Sequence, residues 1–256
     1  DLIRGTYDRN IYLNGDSAAK YISGESKKVK DSMIYQFAKK IRSYPIERFQ
    51  RLQLDIKFNG KDAIDASGVT KQTITMSTQS FISLKSGICI KTPNYTDNNE
   101  NTENIDLDDS QVIPYPSQNN KNVRDVLYAF GVILGSIMRC KINQDIPFPL
   151  FVWNSLAGKP ITKDDIYDND TNLKNEINGM KYGSIVDHRW NYRDWNNAIL
   201  PISGFPEDQI IPQHLVDFYE KLVIDLRIKS IEKYLKIIRE GLYDNQNIQD
   251  SSLLSG

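Results

Sequence analysis

The apolar positions of this chain fall into runs of two periods, and the longest helical run lies near its middle. Val123, Val126, Leu127, Phe130, Ile133, Leu134, Ile137 and Met138 recur at steps of three and four, which predicts a helix to about Arg139 with one buried stripe. Gly131 and Gly135 sit a turn apart inside it. Glycine there costs about 1 kcal/mol against alanine, so another segment is expected to approach that face closely. Met33, Ile34, Phe37, Ala38 and Ile41 form a second stripe that stops before Pro45. Leu52, Leu54, Ile56 and Phe58 alternate with polar residues, the pattern of a half-buried strand closed by an Asn59-Gly60 turn. Ile88, Ile90 and Pro93 mark a further strand.

The run 146–158 reads as a short helix with Pro149 near its first turn and Gly158 as a left-handed stop. Thr162 is placed to cap the next helix, whose Asp164 and Asp165 suit the positive end of its dipole. Leu173, Ile177 and Met180 again follow helical spacing. The last helix is predicted from Gln213 to a stop at Gly241, about 40 Å at 1.5 Å per residue. Its stripe of Leu215, Tyr219, Leu222 and Leu226 changes phase to Ile231, Leu235, Ile238 and Leu242, which implies a bend or two neighbours. Helices of good period with two or three short strands upstream predict a mainly helical α+β fold. Residues 1–30 show no clear period and are expected to be mostly irregular. Residues 94–121, rich in Asn, Asp, Glu and Ser with Val112-Ile113 as their anchor, are expected to be a mobile polar surface loop.

Composition narrows the classes. A chain of 256 residues with 39% hydrophobic and 25% charged content holds enough apolar side chain for one large core or two modest ones, which excludes a disordered protein. Its 32 basic and 33 acidic residues leave a net charge of −1, so electrostatics supplies no reason to expect nucleic acid or an anionic membrane as partner. No apolar run approaches the roughly 20 residues that span a bilayer, and no signal-peptide pattern opens the chain. The location expected is cytoplasmic or nuclear, and the start at Asp1 suggests a piece of a longer polypeptide. Read that way, the Asn94-Tyr-Thr96 and Asn169-Asp-Thr171 triplets carry no weight as glycosylation sites.

Candidate chemistry is sparse. Cys89 lies in an apolar strand-like run and Cys140 closes the central stripe, so both are expected to be small core residues, unpaired and dispensable. The two histidines, His188 and His214, have no cysteine nearby, and no zinc site is expected. Asp164-Asp165 and Asp168-Asn-Asp170 lack the glycine and terminal glutamate of a calcium loop. Phosphate-loop, dinucleotide and nucleophile-elbow motifs are missing, so neither cofactor nor metal is expected and a small-molecule enzyme is a poor reading.

Several ordered motifs carry a resemblance. Leu127-Tyr-Ala-Phe-Gly-Val-Ile-Leu-Gly135, Ile146-Pro-Phe-Pro-Leu150, Trp153, Leu156-Ala-Gly-Lys-Pro-Ile-Thr162 and Asp164-Asp-Ile-Tyr-Asp168 resemble, in this order, the N-terminal lobe of a HECT-type ubiquitin ligase. Lys57-Phe-Asn-Gly60 and Ala63-Ile-Asp-Ala-Ser-Gly-Val69 resemble the family's strand and following turn, with Ser67 in place of the first of two glycines. Ile238-Arg-Glu-Gly-Leu242 and Leu253-Leu-Ser-Gly256 resemble the close of the lobe. The likeness runs from about Ser32 and is nearest to the large HECT ligases with RCC1-like repeats. It makes a helix of Val69 to Leu84, where Thr and Ser are indifferent in propensity.

The resemblance implies a large subdomain of residues 1–170 and 213–256 and an inserted small one of 171–212 that binds the ubiquitin-conjugating enzyme. Tyr182, Trp190, Tyr192 and Trp195 cluster there, and aromatic rings make good interface anchors, although so small a subdomain also needs a core. Leu173, Ile177, Trp190, Tyr192 and Trp195 are the expected lining of a shallow groove, with Met180 as an adaptable filler. Ubiquitin and, through other regions, a protein substrate are the further partners implied. Neither cysteine matches the context of the family's thioester-forming residue, so that cysteine is expected beyond Gly256 and this stretch alone is expected to be inactive. The alternative is a degenerate HECT-like interaction module without ubiquitin transfer, which Ser67 keeps open.

Overall fold

The computed structural model describes residues 10–41, 55–58, 66–95, 111–116 and 121–246. In chain order they form β1 (Asn10–Leu13), α1 (Gly15–Ile22), α2 (Met33–Ile41), β2 (Asp55–Phe58), α3 (Ala66–Ile82), β3 (Cys89–Lys91), β4 (Val112–Pro114) and α4 (Lys121–Cys140). Then follow α5 (Leu150–Leu156), α6 (Lys163–Asn169), α7 (Thr171–Lys181), β5 (Asn191–Arg193), β6 (Ile199–Pro201) and α8 (Val216–Gln246). The strands pair only in twos, so the protein is α+β and mainly helical, as the periodicity predicts. Two compact units emerge, one of residues 1–88, 118–146 and 237–256, the other of 89–117 and 147–236. The segment 171–212 lies wholly within the second.

In the first unit, the five apolar residues of the α2 stripe are all buried, and α2 packs on α3 and α4. Phe81 of α3 stacks flat on Phe130 of α4, with ring centroids 3.6 Å apart. β1 runs parallel to β2 in the register Ile11 to Ile56 and Leu13 to Phe58, and all four side chains are buried. Asn14 caps α1 by accepting from the Ser17 amide. The Gln36 side chain then bonds both the amide and the carbonyl of Asn14, fixing that cap to α2. The close approach expected at Gly131 is present. A Cβ added there would overlap the carbonyl of Ile238, and one added at Gly241 would overlap the carbonyl of Tyr128, so α4 and the end of α8 cross backbone to backbone.

In the second unit, β3 pairs antiparallel with β4, and the Val112 amide donates to the Pro147 carbonyl at 2.9 Å, joining the pair to the start of the α5 segment. Pro149 opens α5, and Gly158 adopts φ of 88° beyond its end. Thr162 and Asp165 form a reciprocal capping box on α6. Asn94 donates to the Asp168 carbonyl and accepts from the Thr171 amide, at 2.7 Å each, so it fastens the junction of α6 and α7.

Several expectations are corrected. Residues 10–22, expected to be irregular, are a strand and a helix, and Val112–Pro114, placed in the surface loop, is a buried strand. Helix α8 does not stop at Gly241 but continues to Gln246, because that glycine serves the crossing with α4 rather than a left-handed cap. The first half of its stripe is also shifted: Val216, Tyr219, Glu220, Val223 and Arg227 are buried while Leu215, Leu222 and Leu226 are half-buried. Met138, assigned to the α4 stripe, is 58% exposed. The readings at Leu52, Leu54, Pro45, Asn59-Gly60, Leu253–Gly256 and most of 94–121, together with the side chains of Cys140 and Ser67, lie outside the described residues.

The crossing yields a prediction opposite in sign to helix propensity. Alanine at Gly131 would gain about 1 kcal/mol in an open helix, but here its methyl group meets backbone that cannot rotate away. Gly131→Ala is therefore expected to lower the free energy of unfolding by about 2 kcal/mol in urea titration.

Candidate partner-docking site

The six side chains expected to line a groove are mostly buried. α7 carries Leu173, Ile177 and Met180 on its inward face, at 6%, 1% and 2% exposure, and Trp190 and Trp195 are 2% and 1% exposed. Tyr192 on β5 is half-buried. Trp190 stacks on Phe205 with centroids 4.1 Å apart, and Trp195 stacks on Phe151 at 5.8 Å. All six lie within one unit, five of them buried, with Tyr192 retaining partial exposure. The cause is size: large rings are the cheapest way for a short segment to exclude water, and both indoles are consumed in doing so.

A buried polar network holds this support. Arg227 of α8 is 1% exposed and pairs through Nη2 with the Asp170 carboxylate, whose other oxygen caps α7 by accepting from the Leu173 amide at 2.9 Å. The guanidinium lies 4.7 Å from the centre of the Trp195 ring, and the Arg227 carbonyl accepts from the Trp195 indole N–H at 3.0 Å. Burial pulls the pKa of Arg227 down, against the opposing charges of Asp170 and Asp194. Asp194 accepts from the amides of Asn196 and Ala198 and from the Tyr115 hydroxyl, which fixes the turn between β5 and β6. Glu220 gathers Tyr167 of α6, Lys163 and Lys181 around one carboxylate.

Exposed apolar side chains stand elsewhere in the same unit, on α5 and β6 at Leu150, Trp153 and Ile199 and in a second group around the start of α8 and the end of α7. Tyr182 is 87% exposed, Val186 65%, Phe218 49%, Ile210 46% and Ile185 37%. Backbone and ring contacts hold the segments that carry two of them: Arg189 bridges to Ile210, the Ile211 amide donates to the His188 carbonyl at 2.8 Å, and Phe218 meets the rings of Phe205 and Trp190. Sequence reasoning missed Phe218, Ile210, Ile185 and Val186. The available signal was Phe218 standing off the stripe of its own helix, next to Tyr219, which points inward. Cys89 is buried and its thiol is pushed well above its ordinary pKa by burial, which leaves it a poor nucleophile. Among the described residues no group of three His, Cys, Asp or Glu side chains is placed to hold a metal ion, and no helix is long and apolar enough to cross a membrane.

The HECT-domain family, described as a ubiquitin-transferase, matches residues 67–256. The chain belongs to the HECT family. No match was found among curated proteins. A HECT domain works with a ubiquitin-conjugating enzyme and with ubiquitin, so the partners to be accommodated are proteins. In this HECT domain the match takes in α4 to α8 and all of the second unit, and leaves β1, α1, α2 and β2 outside it.

The Glu220 cluster predicts how this HECT domain responds to acid. Burial by itself would raise the pKa of Glu220, but hydrogen bonds from Lys181, Tyr167 and Lys163 outweigh it and the net shift is downward. A carboxyl group lowered in the fold contributes stability above its unfolded pKa and loses it as pH falls through the folded value. Glu220→Gln is expected to cost about 2 kcal/mol near neutrality, and the gap from the parent should close as urea titrations move to acid pH.

Proposed function

We propose that this chain acts as the N-lobe of a HECT ubiquitin ligase, with residues 171–212 and the start of α8 receiving a ubiquitin-charged conjugating enzyme. Ubiquitin then passes to a cysteine on a C-lobe outside this chain. The observation that carries the reading is the exposed set of Ile185, Val186, Ile210 and Phe218, the last packed on the rings of Trp190 and Phe205, inside a segment that belongs to a ubiquitin-transferase family. An exposed aromatic with aliphatic neighbours over a rigid base suits a loop of a partner protein, and a modest interface suits a cycle in which a spent carrier leaves before a charged one arrives. The six buried or half-buried residues act through this face by supporting it.

Substitution separates the two layers. Phe218→Ala should leave the melting temperature near that of the parent and weaken binding of a charged conjugating enzyme by about 2 kcal/mol, roughly thirtyfold. Trp190→Ala and Trp195→Ala should instead destabilise the fold by about 3 kcal/mol or more. Equal binding by the Phe218 variant and the parent, across a panel of charged conjugating enzymes, would remove the face from consideration.

Cys89 supports no thioester in this reading. Cys89→Ser is expected to leave the yield of any thiol-sensitive ubiquitin adduct unchanged on denaturing gels run without reductant.

A further inference from the structure

The segment between α7 and β5 carries Ile185 and Val186 yet belongs to neither a helix nor a strand, so its position needs a separate cause. One end is seated by the amides of Ser184 and Ile185, which both donate to the Gly179 carbonyl, and by the Ile185 side chain lying over Gly179, where a Cβ would come within 2.8 Å of it. The other end is held by the buried Trp190 and, just before it, by the His188 side chain. His188 reaches Glu176 of α7 through Nδ1 at 2.9 Å and Tyr219 of α8 through Nε2 at 2.8 Å, and its carbonyl accepts from the Ile211 amide.

Hydrogen-bond bookkeeping gives the clamp a direction. The Tyr219 hydroxyl has one proton and donates it to the Asn191 carbonyl at 2.7 Å, so toward His188 it acts as acceptor and Nε2 is the donor. Nδ1 faces the Glu176 carboxylate, which only accepts, so on that side too the ring donates. The imidazole therefore ties the exposed segment to two helices and, through Tyr219, to β5. It is itself half-buried, with its ring tilted against that of Tyr219, which is 1% exposed.

We infer that His188, oriented by Glu176, is a positioning residue for the docking face: it holds Ile185 and Val186 in place so that a conjugating enzyme meets them already ordered. The inference rests on the docking reading and adds to it the residue that sets the geometry of the face. Without the clamp the residues between the Gly179 end and the buried Trp190 lose their side-chain tie to α7 and α8, and binding must then order side chains that the parent holds ready.

The test measures affinity for a stably charged conjugating enzyme, together with the melting temperature, on the full-length natural protein and its variants. His188→Ala and Glu176→Ala should each weaken binding about tenfold, the scale set by re-ordering a pair of side chains. Glu176→Gln, whose amide can still pair with Nδ1, should bind within about twofold of the parent, since the bond survives in another form. A clamp that merely stabilised the fold would move the melting temperature without this split between Glu176→Ala and Glu176→Gln. Glu176 is only partly buried, so its variants remain informative if His188→Ala fails to fold. Phe218→Ala serves as the internal control. If it binds like the parent, the docking reading falls. If it binds weakly while His188→Ala and Glu176→Ala bind normally, the docking reading stands and the positioning role is overturned.

Discussion

A guanidinium in the interior constrains everything packed around it. Arg227 is 1% exposed, and a buried charge is tolerable only where its neighbours replace water with acceptors or with an electron-rich ring. Asp170 supplies the countercharge, Trp195 the ring, and the Arg227 carbonyl holds that same tryptophan by its indole N–H. Because the second Asp170 oxygen caps α7, one residue of α8 settles where α7 begins and how the β5–β6 segment is seated. Removing one partner of such a pair typically costs about 3–5 kcal/mol, since the other is left charged and unpaired. The pair thus fixes a geometry more than it adds net stability.

The same constraint decides what is left for the surface. With Trp195 occupied by Arg227 and Phe151, and Trp190 by Phe205, neither indole has a face to offer a partner. Apolar area in this unit reaches solvent instead at Phe218 and the aliphatic side chains at 185, 186 and 210, and also at Leu150 and Ile199. Phe218 lies against the stacked rings of Trp190 and Phe205. Lys181 illustrates how closely support and surface are joined: it ends α7 just before the exposed Tyr182 and forms ion pairs with Glu220 and Asp217 of α8.

Much of the fold was legible from spacing alone. The α2 stripe is buried residue for residue, Thr162 caps α6 with Asp165, and Gly158 takes the left-handed conformation expected of it. These features depend on local geometry, where a period of three to four or a single capping oxygen reports directly on structure. The errors fall where a distant contact overrode the local signal. Gly241 looked like a helix stop and is a crossing point, because the Tyr128 carbonyl lies where its side chain would be. The α8 stripe was read from apolar letters, and its true inner face contains Glu220 and Arg227, charged residues whose burial is permitted only by partners on other elements.

The sequence by itself determined the helical periodicity, the α+β class and, through its ordered motifs, membership of the HECT family. Only the tertiary structure decided which aromatic residues face in and which face out. Trp190 and Phe218 are equally apolar as letters, and nothing local separates them. Trp190 is enclosed because Phe205 and Tyr219 arrive from elsewhere in the chain to cover it, whereas Phe218 has one side left uncovered. Burial is a property of what else is nearby, and proximity between distant residues exists only once the chain has folded.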